Sequence, residues 1–171
     1  SDLVEEFLRH EQSEDGGWHS KTHNVLADGK ALTPYILFYL LQVPDQIYPK
    51  EEEAVAKAIA FIKNDIWQDD TLIVVNYPNY AASYVLRVFH YLNIDTALQS
   101  QLTEHLLDQQ FLENRGTTPG NMAYGGWGYG ETDLQPGEFG HVDISHTRRI
   151  TEALNEQDYF RKEDAVPRHP A

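Results

Sequence analysis

The chain has no cysteine, a single methionine, and 13 Lys and Arg against 27 Asp and Glu. Without cysteine there is no disulfide, no thiolate zinc site and no thiol nucleophile, although the absence does not identify a compartment. A net charge of −14 speaks against nucleic acid and against an anionic membrane surface, both of which need clustered cations. Long apolar runs are also missing. The longest, Ala31 to Val43, falls short of the roughly 18 residues that cross a bilayer, so no transmembrane segment is expected. The opening residues, SDLVEEF, carry no signal-peptide pattern. The expectation is a soluble chain of undetermined compartment, with the cytoplasm as the default.

What is present is aromatic. Ten Tyr, seven Phe and three Trp sit in a chain of 171 residues that is 41% apolar, enough for one domain with a real core. The rich Tyr and Trp content predicts a pocket or a heavily packed aromatic interior.

The apolar pattern has a helical period and repeats. DLVEEFLRHEQ sets Leu3, Phe7 and Leu8 against Glu5, Glu6 and Arg9, and a Gly16-Gly17 stop with Trp18 follows. Thr33 as N-cap and Pro34 at the first position predict a second helix, PYILFYLLQV, apolar on nearly every side and so needing cover all round. A second round has Val55, Ile59, Ile62 and Ile66 on one stripe, then Trp67, then a helix after Pro78-Asn79. TLIVVNY, Thr71 to Tyr77, is the one β-like stretch and reads as an extended loop, with a short strand as the alternative. The third round places Leu98, Leu102, Leu106 and Gln110 on one face, then a long glycine-rich loop, Trp127, and a helix opened by Asp143. Three rounds of amphipathic helix, loop and more buried helix form an internal repeat, at about 1–45, 50–94 and 97–157. Residues 158–171 are the start of a further repeat or a tail.

These motifs resemble a known family. QSEDGGW, with Gln12, Gly16 and Trp18, fits the Gln-x-x-x-Gly-x-Trp repeat of squalene and hopene cyclases. GGWGYGE, with Gly126 and Trp127, followed by DISHTRRITEAL, is similar to a later repeat of that family. The resemblance implies an all-α fold, an α/α toroid of the terpenoid cyclase and prenyltransferase type, with Gln12, Gly16, Trp18, Gly126 and Trp127 as structural fasteners. Three helix pairs are about half of such a ring. The chain is then an incomplete ring that self-associates or lacks a second half.

The same resemblance bears on chemistry. Its catalytic acid lies in an Asp-x-Asp-Asp-Thr motif, and the best register here is Asp143-Ile144-Ser145-His146-Thr147. Serine replaces the central proton donor. Asp143 and His146 remain the catalytic candidates, and the chain alone is expected to be inactive as a cyclase. Asp143 also reads as a helix cap. The QDDT run, Gln68 to Thr71, reads as a solvated turn. No cofactor is implied, and His19 with His23, or His141, Asp143 and His146, read as surface or capping groups rather than a metal site. The zinc of protein prenyltransferases needs a cysteine that is absent. Trp127, Tyr129, Glu131, Asp133, His141 and Arg148 are the candidates for contact with a ligand in the central cavity, an isoprenoid or another hydrophobic small molecule. Two readings stay open: a terpenoid cyclase-like enzyme, and a non-catalytic protein-interaction or ligand-binding module. A sugar-active toroid is a third, weaker reading.

Overall fold

A computed structural model describes residues 11–47 and 49–157. The predicted first helix, through Leu3, Phe7 and Arg9, and residues 158–171 lie outside the described residues. The described chain is mainly helical: α1 (Leu32–Gln42), α2 (Glu52–Phe61), α3 (Pro78–Leu92), α4 (Thr96–Asp108) and α5 (Ile144–Glu156). Helices α1, α3 and α5 pack side by side in a row, with α2 against α1 and α4 against α3.

The sequence of α3 explains why it takes the middle place. Ala81, Ala82 and Ser83 are fully buried and small enough for neighbours to approach closely. Val85, Leu86, Val88 and Phe89 follow, also fully buried, and each such side chain contributes about 1.5–3 kcal/mol by leaving water. Pro78 sets the first turn, and Asn93 ends the helix in the left-handed conformation that asparagine tolerates. Arg87 then ties α3 to α5. Its guanidinium lies 4.1 Å over the Phe38 ring and forms a forked pair with Glu156, with Glu152 at 3.3 Å.

Helix starts differ in how they are capped. Asp143 is the N-cap of α5, accepting the His146 backbone N–H at 2.7 Å, and Asp95 caps α4 through Leu98. The predicted Thr33 cap of α1 is not made. The helix begins two residues earlier than expected, at Leu32, and Ala31 at its cap makes no side-chain bond. Nor is α1 covered all round, because Tyr39 stays 47% exposed while Leu37 and Phe38 are buried. The run from Thr71 begins as the short strand that is the alternative to an extended loop. Thr71–Leu72 pairs with Trp67–Gln68 in a two-stranded hairpin. Asp69 and Asp70 supply the two left-handed residues that such a tight turn requires (φ 48° and 58°).

One hydrogen-bond pattern is used at two places in the chain. Gln12 Nε2 donates to the Gly16 carbonyl at 3.0 Å, and Gln110 Nε2 donates to the Gly125 carbonyl at 2.8 Å. The Trp18 backbone N–H donates to Thr33 Oγ1 at 2.9 Å, and that of Trp127 to Thr147 Oγ1 at 3.0 Å. The glycine matching Gly16 is therefore Gly125, not Gly126. Both are left-handed, at φ 89° and 80°. The Gln-to-Gly separation grows from four to fifteen residues, which is the loop insertion of the third unit. Fastening reaches across helices as well. Gln12 Nε2 also meets the Ala54 carbonyl of α2, and the Trp127 indole donates to Leu106 at the end of α4. Trp67 of the middle unit sits half-buried in the hairpin instead.

Candidate functional site

The first turns of the three row helices converge on one cavity of about 450 Å³. Leu32 and Tyr35 come from α1, Tyr80 from α3 with Tyr77 just before it, and His146 from α5. Leu26, on a short turn (Asn24–Leu26), and Val25 close one side. The walls are thus largely aromatic and aliphatic, the composition of a small-molecule pocket.

Tyr77 holds an unusual backbone there, φ 57° and ψ 50°. A bulky residue in the left-handed region costs of order 1–3 kcal/mol. The conformation places its ring 5.0 Å from Tyr129 and 6.2 Å from His146. Tyr80 and Tyr129 complete the cage around the imidazole, at 5.8 and 4.7 Å.

His146 is the polar centre of this cage and is only 7% exposed. Its Nδ1 donates to Asp143 Oδ2 at 2.9 Å, while Asp143 Oδ1 takes the His146 backbone N–H. Burial opposes ionisation of Asp143, but those two His146 donors outweigh it and hold the carboxyl below its usual range. With Nδ1 committed to a carboxylate, Nε2 of the neutral ring is an acceptor. Nε2 is buried and has no hydrogen-bond partner among the described residues.

Along the same row, tyrosines stack outward from the cavity. Tyr35 lies 4.9 Å from Tyr39 and 5.2 Å from Tyr84, and Tyr80 lies 4.9 Å from Tyr84. Arg149 sits 5.4 Å from the Tyr80 ring and donates to the Tyr84 hydroxyl at 3.3 Å. Burial pushes the Tyr80 phenol up to about 12 despite this cation, so it remains a neutral hydroxyl.

The sequence candidates divide. His146 lines the cavity, and Asp143 and Tyr129 contact its ring without lining the cavity themselves. Glu131 and His141 lie next to them: the His141 ring stacks on Tyr129 at 5.2 Å, and its Nδ1 meets Glu131 Oε1 at 2.6 Å. Trp127 is buried in its fastening role and does not line the cavity. Asp133 is exposed, and Arg148 is exposed and pairs with Glu152 at 3.5 Å, one helix position away from the arginine that reaches the tyrosines. Tyr35, Tyr77 and Tyr80 are not singled out as site residues by the sequence, whereas Arg148 and Arg149 are read from it together, one to pair with Asp143 or Glu152 and the other to meet an anion. The i, i+4 pairs Tyr35–Tyr39 and Tyr80–Tyr84, on two corresponding helices, were the available signal.

His19 is fully engaged elsewhere, with Nδ1 at the Ala27 carbonyl (2.9 Å) and Nε2 at Asp15 (3.0 Å). Among the described residues no three His, Asp or Glu side chains are grouped to hold a metal ion, and no helix is long and apolar enough to cross a membrane. Comparisons with protein-family models, with curated proteins and with solved structures find no match to this chain.

Proposed function

We propose that this chain is a repeat domain of the terpenoid cyclase and prenyltransferase-like α/α-toroid kind, one that binds an isoprenoid-sized apolar ligand without cyclising it. The row α1–α3–α5 is the inner wall in this reading, and a second copy or a further set of repeats completes the ring. The observation that carries the binding role is the cavity walled by Tyr35, Tyr77, Tyr80, Leu26 and Leu32. The doubled Gln-Gly-Trp-Thr fastening supports the repeat architecture.

Asp143 argues against alkene protonation. That reaction needs a carboxyl kept protonated in a dry cavity. The donors of His146 keep this one ionised, and Ser145, in the position of the central acid, is exposed and hydrogen-bonded to Arg149.

Calorimetric titration of the purified chain with farnesol tests the reading. Saturable binding that weakens at least tenfold in Tyr35→Ala supports it. Absence of binding, or binding indifferent to Tyr35, overturns it. Sedimentation across a dilution series tests completion of the ring: a dimer or larger assembly is expected, and a monomer at all concentrations removes the second-copy form of the reading.

A further inference from the structure

Two histidines, His23 and His146, join the aromatic and aliphatic residues that line the cavity, and of the two only His146 is buried. His146 is more than nine-tenths buried, lines the cavity, and has Nδ1 fixed as a donor by the Asp143 carboxylate. The consequence falls on Nε2. In the neutral ring it accepts, and among the described residues nothing donates to it. An unmet buried acceptor has lost its bonds to water without replacing them, so a donor arriving with a ligand recovers a desolvation cost already incurred. Selectivity by such a group is strong, because a ligand lacking the donor leaves the acceptor unpaired.

His23 also lines the cavity, but it is exposed, with Nδ1 facing Thr22 Oγ1 at 2.9 Å. The charged groups nearest the cage do not supply a donor to Nε2 either. Arg149 is bonded to Tyr84 and Ser145, and Glu131 to His141.

Nε2 itself has almost no accessible surface, so a ligand reaches it only as the tyrosine rings around the imidazole shift aside. We infer that the pocket selects an apolar ligand bearing one hydroxyl, whose O–H then donates to His146 Nε2 while its chain lies among Tyr35, Tyr77, Tyr80, Leu26 and Leu32. The Asp143–His146 pair is then a recognition device for a lipid alcohol. This rests on the binding role proposed above.

The experiment compares farnesol with its methyl ether, which keeps the chain and removes the donor. The native chain should bind farnesol at least tenfold more tightly than the ether. His146→Phe, which keeps an aromatic ring but no acceptor, should bind both equally. Nitrogen NMR of the unmodified chain provides a readout that does not depend on a variant folding: farnesol should shift the Nε2 resonance, and the ether should leave it in place. Equal binding of both probes with an unmoved Nε2 signal overturns the hydroxyl inference and leaves the apolar pocket standing. Failure of both probes to bind overturns the pocket reading itself.

Discussion

Thr33 Oγ1 accepts the backbone N–H of Trp18 at 2.9 Å, across fifteen residues of sequence, in an environment where Thr33 has no solvent exposure. Thr147 does the same for Trp127 across twenty. Each threonine thus fixes the turn after a glycine pair to the helix that follows. Thr33→Val keeps the shape and leaves a buried N–H unpaired, so it should cost about 1–3 kcal/mol. Thr147, half-buried, should cost less on the same change. Thr33→Ser should restore most of the loss. Urea denaturation midpoints of the three variants check this, and an unchanged midpoint for Thr33→Val would show that the bond carries no stability.

The glycines of the two fastenings are separable by what surrounds them. A Cβ on Gly16 would lie 2.3 Å from the Lys57 carbonyl oxygen, at a backbone of φ 89°. Gly125 has the same left-handed backbone but open space, and Gly120 has open space alone. Alanine should therefore be worst at Gly16. It should cost about 1–2 kcal/mol at Gly125 from backbone strain and stay within about 0.5 kcal/mol at Gly120. Thermal melts of the three variants give the order directly.

Much of this was legible in the sequence, and the misses share a cause. The helical pattern and the Asp143 cap are local and readable from spacing, while the Gly-Trp fastenings are what the family resemblance implies. Thr33 was read as a cap because Thr-Pro has that local meaning, yet its hydroxyl serves a partner fifteen residues away. Gln110 was assigned to a helix face because the insertion separates it from its glycine. The error between Arg148 and Arg149 is a single position, which on a helix turns a side chain by about 100°. The tyrosine cavity draws on the starts of three helices and a turn, an arrangement that packing sets and no single segment encodes.

His19 should give stability a slope near neutral pH. Both ring nitrogens face acceptors, Ala27 carbonyl and Asp15 carboxylate, so the imidazolium satisfies both and the neutral ring only one. Burial works against the charge, but the Ala27 and Asp15 acceptors outweigh it and raise the folded pKa above 6.5, with Asp28 adding to the same effect. The stabilisation is complete below pH 6.5 and is lost as pH rises through the higher folded value. Asp15 is held below 3.8, by the Gly17 N–H and His19 against an opposing burial effect, so its share is lost only in acid. The denaturation midpoint of the native chain should fall relative to His19→Gln as pH rises above about 6.5. Parallel pH profiles would show that the pair contributes nothing.

Asp143→Asn should reverse the direction of the cavity's polar group. In the native chain one carboxylate oxygen takes the His146 backbone N–H and the other takes Nδ1–H. Asparagine has a single acceptor oxygen, and the backbone N–H cannot change its role, so the oxygen stays there and the amide NH₂ faces Nδ1. That forces Nδ1 to accept and places the ring proton on Nε2, the tautomer exchange an Asp-to-Asn change produces in a catalytic triad. A cavity that accepted one hydrogen bond then donates one. Farnesol, whose hydroxyl can also accept, should lose its preference over the methyl ether, while α5 keeps its cap and the fold its stability to within about 1 kcal/mol. Nitrogen NMR should show the His146 proton moved from Nδ1 to Nε2. If the proton moves and the preference for farnesol persists, the hydroxyl is held by some other group. If the proton stays on Nδ1, the asparagine has turned its oxygen toward the ring, and the α5 cap should be weakened by the amount the backbone N–H has lost.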